Sequence, residues 1–381
     1  MSIVFTCPIC GNHDERYIGY KNNKPYCRKC IEFKGETVVS KPKQIKASTL
    51  RLDYSLSRQQ KELSSKIIDA FLKHQDVLVY AVTGSGKTEI SYGVLQYCMS
   101  HGLNVAFAVP RKDVVIELAA RLRNAFPGNS IVSIYGGHTS VLEGDCLVLT
   151  THQLFRYERY FDLIIMDEVD AFPFKGNDVL EAMFFRSLRG NFVLMSATPS
   201  KSLVKGIRDR DGLILTLHTR FHKKEISVPI IATCPQRFYF LYVIKKLKQY
   251  LNEEKPCFVF VPSVELSSEL FSLVSSFCPY GNFVSSKREN RNQIISDFKK
   301  GKYKYLITTA VLERGVTVKN IQVIVVDASS PIYDAAALIQ ISGRVGRKKD
   351  ATGGEVIFLA NKTNLEMEKA IYEIKRCNSF L

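Results

Sequence analysis

From Leu56 onward, short apolar runs alternate with amphipathic segments, and this alternation restricts the fold more than any other feature of the chain. A first series of runs reads DVLVYA, NVAFAVP, SIVSIYG, DCLVLTT, FDLIIMD and NFVLMSAT; a second reads PCFVFVP, GNFVSS, KYLITTA, QVIVVDA and GEVIFLA. Between them lie segments with helical spacing, such as RKDVVIELAARLRNAF and FYFLYVIKKLKQYL. Near-continuous apolar runs of strand length suit sheets buried on both faces, and helical crossovers join parallel strands. The expectation is two α/β domains in tandem, each a parallel sheet wrapped in helices. At 381 residues the chain also exceeds what one hydrophobic core usually serves. We place the first lobe at residues 56–232 and the second at 233–381, preceded by a small module at 1–40 and a basic linker at 41–55.

Only the first lobe carries a phosphate loop. AVTGSGKT, residues 81–88, follows the strand-like run DVLVYA and opens the plausible helix EISYGVLQYC, the context such a loop needs. Gly84 and Gly86 allow backbone conformations closed to residues with a Cβ, so that amides of Thr83–Gly86 and the helix start can face phosphate oxygens. Lys87 would reach the β- and γ-phosphates, and Thr88 would offer its hydroxyl to Mg²⁺. Ala81 stands where the first glycine of the pattern usually lies. Downstream, FDLIIM delivers Asp167 and Glu168, suited to holding Mg²⁺ and to orienting or deprotonating the attacking water. A glycine turn with an exposed lysine is the alternative, and the flanking strand and helix weigh against it.

Four of the ten cysteines stand apart. Cys7, Cys10, Cys27 and Cys30 form two C-x₂-C pairs, whereas the other six are scattered through apolar contexts. The spacing fits one closed, structural zinc site, with a hairpin turning at Asn22-Asn23 between the pairs. A segment this short with little apolar content needs metal ligation to fold. Disulfides are the weaker alternative, because nothing else marks the chain as secreted.

Lys and Arg outnumber Asp and Glu by 53 to 37, a net charge of +16, which favours a polyanionic partner over a merely basic surface. Lys41, Lys43, Lys46 and Arg51 concentrate charge around the linker, where phosphate contact and simple solvation are equally open readings. No run has the length of a membrane span, and MSIVFTCPIC lacks signal-peptide architecture, so a soluble cytoplasmic protein is expected.

Taken in order, further segments resemble the motifs of superfamily 2 helicases and translocases. They are Leu56 with Gln60, AVTGSGKT, VPRK at 109–112, Tyr135-Gly136-Gly137, TTHQ at 150–153, DEVD at 167–170, SATPS at 196–200, FVPS at 260–263, TTAVLERGVT at 308–317 and QISGRVGR at 340–347. The resemblance covers nearly everything after residue 56. It implies two RecA-like lobes behind a four-cysteine zinc module, with ATP and Mg²⁺ as cofactors. Gln60, Gly315 and Gln340 would contact the nucleotide. Arg344 and Arg347 would enter the cleft between the lobes and meet charge developing on the γ-phosphate, as planar, delocalised cations can; a basic patch for nucleic acid is the lesser alternative. For Asp170 the stronger reading is a link between motifs II and III, for example through Ser196 or Thr198. The resemblance further implies backbone contacts to a nucleic-acid strand at Pro110, Arg111, Thr150, Thr151, Pro262, Ser263, Thr308 and Thr309. Thr150 and Thr308 read equally well as β-branched strand residues.

Within the superfamily, DEVD, the ERGVT form of motif V, QISGRVGR and the amino-terminal cysteines look like the ComFA family of late-competence ATPases. That resemblance implies a motor on single-stranded DNA that powers DNA uptake in transformation, peripheral at the inner face of the membrane, with the ComEC channel and a ComFC-type protein as partners. Homo-oligomerisation stays open. A PriA-like replication-restart helicase is one alternative, although PriA carries its zinc cysteines in the second lobe; an RNA-dependent superfamily 2 ATPase is another. Thr317 replaces the aspartate that closes motif V in many relatives, so that residue's contacts do not carry over.

Overall fold

The computed structural model describes residues 5–81, 85–169, 174, 176–217, 225–285, 288, 290–309, 318–346, 351 and 353–379. Two compact units divide the chain on either side of residue 217.

The first unit begins with a hairpin of β1 (Ile18–Lys21) and β2 (Lys24–Cys27), in which Lys21 pairs with Lys24. Asn22 and Asn23 turn it with φ of 49° and 58°, the double positive-φ turn whose twist matches paired strands and which asparagine tolerates. The main body then runs α1 (Arg58–Leu72), β3 (Val77–Ala81), α2 (Lys87–Ile90), α3 (Tyr92–Ser100), β4 (Val105–Val109), α4 (Lys112–Ala125), β5 (Ile131–Ile134), β6 (Cys146–Thr150), β7 (Phe161–Asp167), α5 (Asp178–Ser187), β8 (Leu188–Ser196), α6 (Lys201–Arg208) and β9 (Leu213–Leu217). Its seven strands lie in the order β5-β6-β4-β7-β8-β3-β9, and every pair is parallel. One face packs Val79, Phe107 and Ile165 against α1, α3 and α4; the other packs Leu78, Ala106 and Ile164 against Met183 and Phe184 of α5. Burial on both faces is why these strands read as unbroken apolar runs.

The second unit comprises β10 (Ile230–Thr233), α7 (Tyr239–Asn252), β11 (Cys257–Val261), α8 (Val264–Ser275), β12 (Gly281–Val284), α9 (Arg291–Lys299), β13 (Tyr305–Thr309), β14 (Gln322–Val326), α10 (Ala335–Ser342), β15 (Val356–Ala360) and α11 (Leu365–Asn378). Its six-stranded sheet has the order β10-β15-β14-β11-β13-β12, again parallel throughout.

Three local features differ from the sequence reading. β9 and β10 were not expected; each is an edge strand with one neighbour, and β10 is nowhere fully buried, so its apolar signal is thin. Because β10 pairs with β15, the lobe boundary expected at 232/233 falls inside a strand of the second unit. The helix expected after the phosphate loop is two, since Ser91 Oγ turns back onto Thr88 O at 2.6 Å and separates α2 from α3.

The basic linker lies along the first unit and is neither free nor turned wholly to solvent. Lys43 Nζ donates to Gly144 O at 2.6 Å, Lys46 Nζ meets Asp145 Oδ2 at 2.5 Å, Ser48 Oγ donates to Asn129 Oδ1 at 2.7 Å, and Arg51 N donates to Ala125 O at 2.8 Å. Lys41 Nζ also lies 3.5 Å from Glu143 Oε1, so three of the four linker charges that suggested a phosphate surface have partners on the protein itself. Among the described residues, no helix is long and apolar enough to cross a membrane.

Candidate nucleotide and nucleic-acid site

Three neighbouring strands of the first sheet bring together the residues of the first unit expected to meet the nucleotide. β3, β8 and β7 lie side by side, with Tyr80 opposite Ser196 and Met195 opposite Asp167, so their carboxyl ends form one edge. Ligands bind at such edges in open α/β sheets because loops and helix starts converge there. The phosphate loop leaves β3, Asp167 closes β7, and Ser196 closes β8.

At this edge Lys87 Nζ lies 3.6 Å from Asp167 Oδ1. Gly86 precedes Lys87 with φ of +80°, a conformation that calls for glycine, and a Cβ there would displace Nε2 of Gln60. Gln60 is held by a capping box: Ser57 Oγ accepts from Gln60 N at 3.2 Å, and Gln60 Oε1 accepts from Ser57 N at 3.0 Å. The residue expected to meet the base therefore stands beside the phosphate loop with its carbonyl oxygen engaged. Ser85 is buried, and Thr88 is partly exposed on the first turn of α2.

Glu168 follows in a left-handed conformation, φ 58°, with its amide donating to Asp167 Oδ1 at 2.9 Å. Such a conformation is uncommon away from glycine and is concentrated at functional sites. Val169 N reaches Met195 O at 3.3 Å, and Thr198 N donates to Ser196 Oγ at 2.9 Å, tying the carboxylate turn to the end of β8. Asp170, Thr83, Gly84, Gly315, Thr317 and Arg347 lie outside the described residues.

One participant escaped the sequence reading. Glu89, directly after Thr88, pairs with Arg121 Nη2 at 2.5 Å and accepts from Tyr54 Oη at 3.2 Å, pinning α2 to α4 and to the chain before α1. A carboxylate beside the phosphate-loop lysine was visible; its partner, thirty-odd residues on, was not.

In the second unit, Gln340 is in the last two turns of α10, whose start is capped by Asp334 accepting from Ala337 N at 2.8 Å. Arg344 follows the end of that helix, its amide on Ile341 O at 3.0 Å, and is only 6% exposed.

The eight residues expected to contact a nucleic-acid strand fall into two matched pairs of strand ends. In the first sheet β4 and β6 are neighbours with Val109 opposite Thr150, which sets Pro110 and Arg111 beside Thr150 and Thr151. In the second, β11 and β13 pair Val261 with Thr309, which sets Pro262 and Ser263 beside Thr308 and Thr309. The four threonines and Pro110 are buried, whereas Arg111, Pro262 and Ser263 are partly exposed. Ser263 Oγ caps α8 by accepting from Leu266 N at 3.1 Å.

The four cysteines of the module gather within the first unit, in the same buried layer as Leu154, Phe155 and Tyr157. The Sγ atoms of Cys7, Cys10, Cys27 and Cys30 all lie within 4.8 Å of one another, and all four residues are buried. Tetrahedral zinc–thiolate bonds of about 2.3 Å imply sulfur separations near ~3.8 Å, and the Cys7–Cys30 and Cys10–Cys27 separations are 3.4 Å and 3.6 Å. Burial pushes the Cys10 and Cys30 thiols up, whereas at Cys7 the backbone amides of Cys10 and Ile9 outweigh burial and hold the group below its usual range. Amides aimed at a thiolate are what a metal-binding knuckle provides, so donor set and surroundings fit the ion.

This geometry has counterparts among known proteins. The family described as DEAD/DEAH box helicase matches residues 61–205, and that described as helicase conserved C-terminal domain matches residues 242–349. The chain is 33% identical to competence protein ComFA of Bacillus subtilis (strain 168) over 97% of its own length and 85% of that protein's. It is likewise 33% identical to competence protein ComFA of Streptococcus pneumoniae (strain ATCC BAA-255 / R6), covering 93% of this chain and 85% of the relative. Among solved structures, S. cerevisiae Dbp5 bound to RNA and ADP BeF3 matches with a TM-score of 0.64 over 86% of this chain and 93% of that one; at 14% identity the likeness is one of fold.

Proposed function

The chain belongs to the ComFA family of competence proteins, and from that premise we propose that it is a motor that uses ATP to move along single-stranded DNA during DNA uptake. It is an ATP-hydrolysing superfamily 2 helicase-like enzyme, and its two parallel-sheet units have the architecture of that class. The observation that carries the site assignment is the 3.6 Å approach of Lys87 to Asp167 at the shared edge of β3, β8 and β7. A cation and a carboxylate meet there, beside a glycine-dependent loop.

In this reading Lys87, Thr88 and the amides of Thr83–Gly86 bind the phosphates, with Thr88 and Asp167 holding Mg²⁺. When bound, the ion neutralises charge on the phosphate oxygens. Glu168 takes a proton from the attacking water, from a left-handed backbone position just past the end of β7. Gln60 contacts the base, while Gly315 and Gln340 contact the nucleotide. Arg344 and Arg347 supply positive charge from the second unit, which links hydrolysis to the state of both halves of the chain. The paired strand ends at 110–111 with 150–151, and at 262–263 with 308–309, grip the DNA backbone without reading sequence, as a motor requires. Cys7, Cys10, Cys27 and Cys30 hold structural zinc. Work at the cytoplasmic face of the membrane beside the ComEC channel and a ComFC-type protein follows from the family's place in competence.

Displacement of streptavidin from a 3′- or 5′-biotinylated single strand tests the proposal. ATP-dependent displacement from one end is expected; hydrolysis without displacement from either end would contradict it.

A further inference from the structure

The cysteine module is fastened to the segment that leaves β6. Phe33, just past Cys30, stacks on His152 with ring centroids 6.0 Å apart and planes 19° from parallel, and it also meets Phe155 at 5.9 Å. Arg156 is 8% exposed; its guanidinium sits 4.7 Å over the Phe155 ring and donates to Glu36 O at 3.0 Å. Val38 N in turn donates to Arg156 O at 2.8 Å, and Val38 bridges Tyr157 in parallel register. Gly35 closes the clasp, because a Cβ there would come within 2.5 Å of Arg156 Nη1. Its φ of +154° is a conformation that favours glycine.

All of these contacts converge on one short element. Residues Thr151–Arg156 form a two-turn 3₁₀ helix immediately after Thr150, the end of β6. Turns of this kind have poor internal hydrogen-bond geometry and depend on neighbours for their shape. Thr151 Oγ1 is buried and has no hydrogen-bond partner among the described residues, so the turn does not satisfy even its own first side chain. It is held from two sides: Arg186 of α5 donates to Phe155 O at 3.1 Å and to Tyr157 O at 3.3 Å, while the module supplies the Phe33 ring, the Glu36 carbonyl that receives the Arg156 guanidinium, and the backbone of Val38.

We infer that the cysteine module is a brace that positions the Thr150–Thr151 segment for its contact with the nucleic-acid strand, with Phe33 and Arg156 as the positioning residues. This rests on the reading of Thr150 and Thr151 as strand contacts. Metal ligation fixes Cys30 and hence Phe33 and Gly35, so metal occupancy and nucleic-acid affinity are linked, and linkage of binding free energies is reciprocal.

The test uses the full chain, titrating ATP turnover with oligo-dT and reading hydrogen exchange over residues 150–157. Phe33→Ala is expected to keep its metal and its turnover at saturating oligonucleotide. Its half-saturating concentration should rise about three- to tenfold, the range one aromatic pair supplies, with faster exchange at 150–157, and Phe33→Tyr should restore both. Thr150→Val probes the underlying contact independently. If Thr150→Val raises the half-saturating concentration and Phe33→Ala does not, the brace is refuted and the contact stands. If Thr150→Val changes nothing, the contact reading falls and takes the brace with it.

Discussion

Lys87 Nζ and Asp167 Oδ1 stand 3.6 Å apart, although eighty residues of chain and the whole of β4, β5 and β6 separate them in sequence. Parallel topology makes this meeting, because β3 and β7 both end at the same edge with only β8 between them. Loss of either partner leaves a half-buried charge without its counterpart, so a neutral replacement affects chemistry and local order together.

Lys87→Ala and Glu168→Gln should each lower ATP turnover about a hundredfold or more, the effect of removing one group that stabilises developing charge or activates water. Filter binding of a single strand should be retained in both variants. Turnover near wild type in Lys87→Ala would place the site elsewhere.

Thr151→Val separates a structural hydroxyl from a functional one. Its Oγ1 is buried without a partner among the described residues, and relieving a group of that kind is worth about 1–3 kcal/mol. Thermal unfolding should shift upward by a few degrees, about 2–4 °C per kcal/mol for a domain of this size. A downward shift would mean that the hydroxyl is satisfied in solution.

The linker makes a pH-dependent contribution. Burial pushes the Asp145 carboxyl up, but the Lys46 hydrogen bond, with those from the Ser130 amide and Asn129, outweighs it and holds the group below the usual aspartate value. A folded value lower than the unfolded one, about 3.9, stabilises fully above the unfolded value and ceases to do so as pH falls through the folded value. The melting difference between wild type and Lys46→Met should thus be present at neutral pH and vanish in acid. A difference that persisted below pH ~3 would rule out the Asp145 pairing as its source.

Zinc should co-purify at one equivalent per chain and be released by thiol modification, with Cys27→Ser retaining little of it. A fully folded residue 5–38 region in metal-free protein, judged by hydrogen exchange, would remove the structural role.

Much of this was legible in the chain itself, for identifiable reasons. β3, β4, β6 and β7 are buried on both faces, so periodicity marks them cleanly, whereas β9 and β10 have one neighbour each and leave a fainter trace. Asn22-Asn23 signals its turn because positive φ is chemically demanding. Lys87 and Asp167 were recognisable as motif residues, but Glu89 with Arg121, and Phe33 with His152, are pairs that only topology brings together. Linker lysines were ambiguous in sequence because their partners, Gly144 and Asp145, are distant and locally unremarkable.

The most direct measurement is ATP turnover of the full chain against single-stranded DNA, duplex DNA and single-stranded RNA of matched length. A DNA-uptake motor predicts the largest stimulation by single-stranded DNA, lost in Lys87→Ala. Stimulation greater with RNA than with single-stranded DNA would contradict it.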